Sequence, residues 1–143
     1  MKSIHILLVE DNEGDILLIQ EAFEEAKLIN TISITKDGEK AIEFLDKRGR
    51  YEDARTPDLI ILDVNLPRKN GHEVLQYIKQ HNTLKKIPVI MLTTSSSERD
   101  ITKSYENHAN CFITKPIEAE DFLKAVLSIE NFWLSLVQLP TKI

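Results

Sequence analysis

Short runs of Ile, Leu and Val alternate along this chain with segments whose apolar residues recur every three to four positions. No other feature of the sequence limits the fold as strongly. The short runs are Ile4–Val9, Ile32–Thr35, Leu59–Val64, Pro88–Leu92 and Cys111–Thr114. The first, third and fourth are nearly continuous in aliphatic residues, as parallel strands buried on both faces require. Ile32 and Ile34 alternate with Ser33 and Thr35, which suits a half-exposed edge strand, and Cys111–Thr114 suits the other edge.

The segments between them read as helices. Ile16, Ile19, Phe23 and Ala26 form one stripe, broadened by Leu18, Ala22 and Ile29. Ala41, Ile42 and Leu45 form a second behind a capping Asp37, and Val74, Leu75 and Ile78 a third after an Asn70-Gly71 turn. Ser97-Glu98-Arg99-Asp100 reads as a capping box opening a fourth helix around Ile101 and Tyr105. Ala119, Phe122, Val126, Ile129 and Trp133 mark a fifth. Strand then helix, five times over, predicts an α/β fold: a five-stranded parallel sheet with helices on both faces. Right-handed crossovers make the flavodoxin-like order 2-1-3-4-5 the natural arrangement. Arg48–Pro57 is a charged connection, longer than usual for such a turn.

The 143 residues suffice for one domain that buries roughly two-thirds of its unfolded-chain surface. With 18 Lys+Arg against 23 Asp+Glu, the net charge of −5 argues against nucleic-acid or anionic-membrane binding, both of which need a basic footprint. No apolar run approaches the ~18 residues of a membrane span, and the first apolar stretch stops at Glu10-Asp11, too soon for a secretory signal. A cytoplasmic location is expected. The lone Cys111 reads as a buried strand residue. His5, His72, His81 and His108 show no metal-ligand spacing and read as surface or strand residues.

In open parallel sheets ligands bind beyond the carboxyl ends of the strands. Here those ends carry Glu10-Asp11, Asp63, Thr93-Thr94 and Thr114-Lys115-Pro116. The topology would therefore gather three carboxylates, a hydroxyl and an ammonium on one rim. Carboxylates so close repel one another, and a hard divalent cation such as Mg²⁺ relieves that repulsion. The lysine supplies a point charge and Thr93 a hydrogen bond for phosphoryl oxygens, so a carboxylate here could accept a phosphoryl group.

Val9-Glu10-Asp11-Asn12, Leu62-Asp63-Val64-Asn65-Leu66-Pro67 with Gly71, Met91-Leu92-Thr93 and Ile113-Thr114-Lys115-Pro116 resemble the receiver domain of bacterial response regulators, from about Ile4 to Ile129. The resemblance implies that Asp63 is the phosphoacceptor. It implies Mg²⁺ on Asp11 and Asp63, with Glu10 acting largely through water and the Asn65 main-chain carbonyl as a further ligand. Thr93 would bond the phosphoryl group, Lys115 would pair with it, and Phe112 would be the switch aromatic. Gly71 would belong to the phosphorylation-site loop, and the Lys115–Pro116 bond would be cis. Thr94 departs from the family pattern, where Ala or Gly is common, and would narrow access to Asp63.

The Arg48–Pro57 connection, the Leu92-Thr93-Thr94-Ser95-Ser96-Ser97 run and the Glu130-Asn131-Phe132-Trp133 ending look like single-domain regulators paired with phytochrome-type histidine kinases. That implies a receiver over residues 1–130 and an extension over 131–143 with no output domain. The protein would accept phosphoryl from such a kinase, act in its own phosphorylation and dephosphorylation rather than as an enzyme on a separate substrate, and signal to a downstream phosphotransfer or effector protein. Phe132 and Trp133, with Leu136, Val137 and Leu139, exceed what one helix face can bury, so they are expected to form a homodimer interface. A flavin carrier would share the fold but needs a Ser/Thr/Gly loop where Glu10-Asp11-Asn12 stands. A phosphatase would want a carboxylate at Asn65. A phosphorylation-independent scaffold is the remaining alternative.

Overall fold

A computed structural model describes residues 4–25, 30–93, 111–118, 120–122 and 124. The elements run β1 (Ile4–Val9), α1 (Glu13–Glu25), β2 (Asn30–Thr35), α2 (Gly38–Leu45), β3 (Leu59–Asp63), α3 (Gly71–Gln80), β4 (Val89–Thr93) and β5 (Cys111–Thr114). The five strands form one sheet, all parallel, in the order β2-β1-β3-β4-β5. Topology and strand direction agree with the expectation. Thr94, the fourth-helix residues 97–105, His108, Ala119 and the tail with Phe132 and Trp133 lie outside the described residues.

The continuous apolar runs became the three central strands because each has a hydrophobic layer on both sides. Leu7, Val9, Ile60, Leu62, Val89 and Met91 point into a core with α2 and α3. Ile6, Leu8, Ile61, Ile90 and Leu92 point the other way, against Ile16, Ile19, Phe23 and Phe122. Phe23 and Phe122 meet edge to face at 5.6 Å, which ties α1 to the helical residues 120–122. Removing a central side chain such as Leu62 would cost about 2–5 kcal/mol, since a close-packed core cannot collapse onto the gap.

The caps follow the local sequence. Asp37 accepts from Lys40 N at the start of α2. Asn70 and Glu73 form a reciprocal capping box on α3, so Asn70 is a helix cap as much as a turn residue. The Arg48–Pro57 connection is ordered around a 3-10 turn, Gly49–Tyr51, whose Tyr51 packs on Phe44 with ring centroids 5.3 Å apart.

Two expectations need correction. β2 is an edge strand, but Ile34 is the exposed residue and Thr35 the buried one. Thr35 lies beside Val9 on the face that α2 covers, so a neighbouring helix overrides the sequence alternation. His72 is neither on a strand nor at the surface; it is buried on α3. The cause is Gly71, whose missing Cβ lets the first turn of α3 lie against β3: a Cβ there would stand 2.2 Å from the Asp63 carbonyl oxygen. His5 is a buried strand residue, while His81 caps its own turn, accepting from Thr83 N and Leu84 N at 3.2 Å each.

Candidate functional site

Strand register builds the rim. Val9 pairs with Leu62, so Glu10 follows β1 where Asp63 ends β3. Asp63 pairs with Leu92 and Thr93 with Thr114, so Thr93 and Lys115 complete the same end of the sheet. Glu10, Asp63 and Thr93 are all buried, while Asp11 is exposed. One carboxylate oxygen from each of Glu10, Asp11 and Asp63 falls within 4.8 Å of the others.

Each acidic side chain is held from its own backbone neighbourhood. Glu10 Oε2 accepts from Asp11 N at 3.0 Å and Asn12 N at 3.3 Å. Asp63 Oδ1 accepts from Asn65 N at 3.0 Å. These bonds leave Glu10 Oε1 and Asp63 Oδ2 turned to Lys115, whose Nζ lies 2.6 Å from the first and 3.0 Å from the second. Lys115 is carried into place by the end of β5, where its N–H donates to the Thr93 carbonyl, and the following Lys115–Pro116 peptide is cis.

Two glycines fix the loop after β3. Besides Gly71, a Cβ on Gly38 would meet the Lys69 carbonyl oxygen at 2.0 Å, so the loop can rest on the start of α2 only with glycine there. Arg68, at φ 69°, reaches the same helix start and pairs with Asp37 at 3.8 Å and Glu39 at 3.4 Å.

The charges are strongly coupled. The Glu10 carboxyl is pushed up to about 8, first by burial and next by its hydrogen bond to Asp63, while Lys115 acts the other way. Burial by itself would depress the Lys115 ammonium, but Asp15, Glu10 and Asp63 together hold it above the ordinary lysine value. Glu10, Asp11 and Asp63 each turn a carboxylate oxygen to one shared space. An oxygen-only donor set of this kind suits a hard divalent cation.

The structure thus brings together Glu10, Asp11, Asp63, Thr93 and Lys115, with Asn65 beside them and exposed. Phe112 sits half-buried on β5 opposite Met91, at the edge of the core that α2 and α3 cover. Cys111 is half-buried on the other side of the same strand, and burial raises its thiol, in keeping with an inert strand residue. Sequence reasoning missed Asp15, whose Oδ2 lies 2.8 Å from Lys115 Nζ. The available signal was spacing: Asn12 caps α1, and Asp15, three residues on in the first turn, donates its N–H to Asn12 Oδ1 at 2.9 Å. Its carboxylate therefore faces back toward the rim.

The family model for the response regulator receiver domain matches residues 6–127. The chain belongs to that family. The receiver is 48% identical over 135 residues to the response regulator Rcp1 of Synechocystis sp., covering 94% of this chain and 92% of that protein. It is 39% identical to the probable methanogenesis regulatory protein FilR2 of Methanothrix harundinacea, over 94% and 86% of the two chains. Among solved structures it resembles the phosphorylated cyanobacterial phytochrome response regulator RcpA, with a TM-score of 0.82 and 47% identity over 94% of this chain and 96% of that one. The Mn²⁺-bound form of Rcp1 superposes with a TM-score of 0.80 at 47% identity, over 92% and 94% of the chains. No helix among the receiver's described residues is long and apolar enough to cross a membrane.

Proposed function

We propose that the receiver accepts a phosphoryl group on Asp63 from a histidine kinase, of the phytochrome type, and signals through an altered surface. The observation that carries this is the Asp63 carboxylate, buried at 2% exposure, with Lys115 Nζ at 3.0 Å and two further carboxylates clustered beside it. An Asp63 oxygen attacks the phosphorus of the donor phosphohistidine. The new P–O bond forms as the P–N bond breaks, and the electron pair leaves on the imidazole nitrogen, which takes up a proton. In the reverse sense of signalling, water attacks the same phosphorus, the Asp63–phosphorus bond breaks and inorganic phosphate departs.

Asp11 and Asp63 would hold Mg²⁺ directly, with Glu10 acting largely through water and the Asn65 carbonyl as a further oxygen. The excess of carboxylate over ammonium fits such an ion, and a divalent cation there supplies positive charge to the phosphoryl oxygens. Lys115 pairs with those oxygens and Thr93 donates its hydroxyl to them. Phosphorylation adds charge and acceptor atoms at Asp63, and as Thr93 and Lys115 adjust, Phe112 can pack further inward. The changed surface beside β4 and β5 is then read by a downstream phosphotransfer or effector protein, and Phe132 and Trp133 supply a homodimer interface. The phytochrome assignment rests on likeness to the phytochrome response regulator RcpA, and a cytoplasmic location accords with a kinase-coupled receiver.

The decisive experiment is intact mass measurement after incubation with Mg²⁺ and acetyl phosphate. One added phosphoryl group is expected, absent in Asp63→Asn. An unmodified wild-type protein overturns the reading and favours a phosphorylation-independent scaffold, and an Asp63→Asn variant modified as fully as wild type overturns it by placing the phosphoryl group on another residue.

A further inference from the structure

Lys115 meets a third carboxylate that no receiver motif in the sequence pointed to. Its Nζ contacts Glu10 Oε1 at 2.6 Å, Asp15 Oδ2 at 2.8 Å and Asp63 Oδ2 at 3.0 Å. The Nζ donates a hydrogen bond to Asp63 Oδ2 and forms ion pairs with the other two carboxylates. The three carboxylates are not equivalent. Glu10 and Asp63 belong, with Asp11, to the clustered trio that suits a divalent cation, and Asp15 stands outside that trio.

We infer that Asp15 is a positioning residue of the phosphoryl site, holding the Lys115 ammonium at the rim where it meets the phosphoryl oxygens. The inference deepens the proposed role of Asp63 and rests on it. A divalent cation held by the acidic trio would compete with Lys115 for Asp63 and, through water, for Glu10. Asp15, outside the trio, would remain the partner of Lys115 and anchor the ammonium beside the site. Its own position is fixed: the first turn of α1 carries it, and its N–H is bonded to Asn12 Oδ1. The pair is only partly solvated, with the lysine side chain 10% and the aspartate side chain 25% exposed, so water screens it less than a surface ion pair.

The rival account makes Asp15 no more than an acidic residue at a helix N-terminus, favourable to the helix dipole. The two separate on readouts that involve Lys115. With acetyl phosphate and saturating Mg²⁺, Asp15→Asn should lower the second-order rate constant for Asp63 phosphorylation by about tenfold, the effect of one charge-assisted hydrogen bond. Asp15→Glu should recover part of that loss. In a Lys115→Ala background Asp15→Asn should change nothing further, since a residue acting through Lys115 has no effect once Lys115 is gone. In the metal-free protein, the Lys115 ammonium resonance should broaden in Asp15→Asn through faster proton exchange.

Equal rates for wild type and Asp15→Asn, or the same fold-loss with and without Lys115, overturn the inference. If wild type takes up phosphoryl on Asp63 while Asp15→Asn is indistinguishable from it, only the role of Asp15 fails. If wild type takes up none, the parent reading fails and this one with it.

Discussion

The two ends of β1 are built from similar polar material and put it to opposite use. At the amino end, the His5 N–H donates to Asp58 Oδ2 at 2.9 Å and the Asp58 N–H returns to the His5 carbonyl at 2.7 Å. His5 Nε2 meets Ser33 Oγ at 2.9 Å, and Arg55 pairs with Asp58 at 3.4 Å. Burial and then the Arg55 charge depress the imidazole, so it is neutral near pH 7, and one carboxylate faces one guanidinium. At the carboxyl end, only five residues along, Glu10, Asp15 and Asp63 share the single ammonium of Lys115, with Asp11 beside them. The amino end is charge-balanced and structural. Among the described residues the carboxyl end carries more carboxylate than ammonium, a balance that suits a hard cation.

The contrast can be broken most severely through the loop. Gly71→Ala forces a methyl group into the Asp63 backbone, where the gap is 2.2 Å. A loss of about 3 kcal/mol in denaturant unfolding is expected, together with weakened cation binding, because Asp63 is displaced with the loop. Unfolding unchanged from wild type would show that α3 can move away without cost.

Next comes the charge excess itself. Glu10 has its carboxyl raised to about 8 in the fold against 4.5 for the free side chain. Its contribution to stability is therefore complete below about pH 4.5 and lost as pH rises through 8. Glu10→Gln cannot ionise, so in metal-free protein it should match wild type near pH 4.5 and exceed it by roughly 2 kcal/mol near pH 8.5. Lys115 keeps Asp15 and Asp63 as partners in that variant. A gain of equal size at both pH values would contradict the account.

Asp11→Asn removes an exposed carboxylate from the trio and should weaken Mg²⁺ binding by about tenfold in calorimetry, with circular dichroism unchanged. Unaltered affinity would take Asp11 out of the cation site. The smallest effect belongs to the amino end. Ser33→Ala deprives His5 Nε2 of its partner and should cost about 1 kcal/mol of stability. Mg²⁺ affinity and phosphorylation rate should not change, and a shift in either would show that the two ends communicate through β1.

Much of this was legible in the residues. The continuous runs of β1, β3 and β4 announced two-sided burial, since a strand covered by helices on both faces leaves few positions for polar side chains away from its ends. Strand order followed from handedness, and Glu10, Asp11, Asp63, Thr93 and Lys115 could be placed on one rim because strand ends in a parallel sheet share one edge. Recognition of the receiver motifs agreed with the family match.

What the linear pattern could not contain were contacts across the chain. Asp15 went unnoticed in the sequence because its partner Lys115 lies a hundred residues later, and β5 brings the two within 2.8 Å. The inversion of Ile34 and Thr35 depended on which helix covers the edge strand, and the burial of His72 on how closely Gly71 lets α3 approach β3. Periodicity reports which face of an element is apolar, and strand ends report where charge collects. Which charges pair, and which edge stays open, is decided by distances between segments remote in sequence, and only the folded chain sets those.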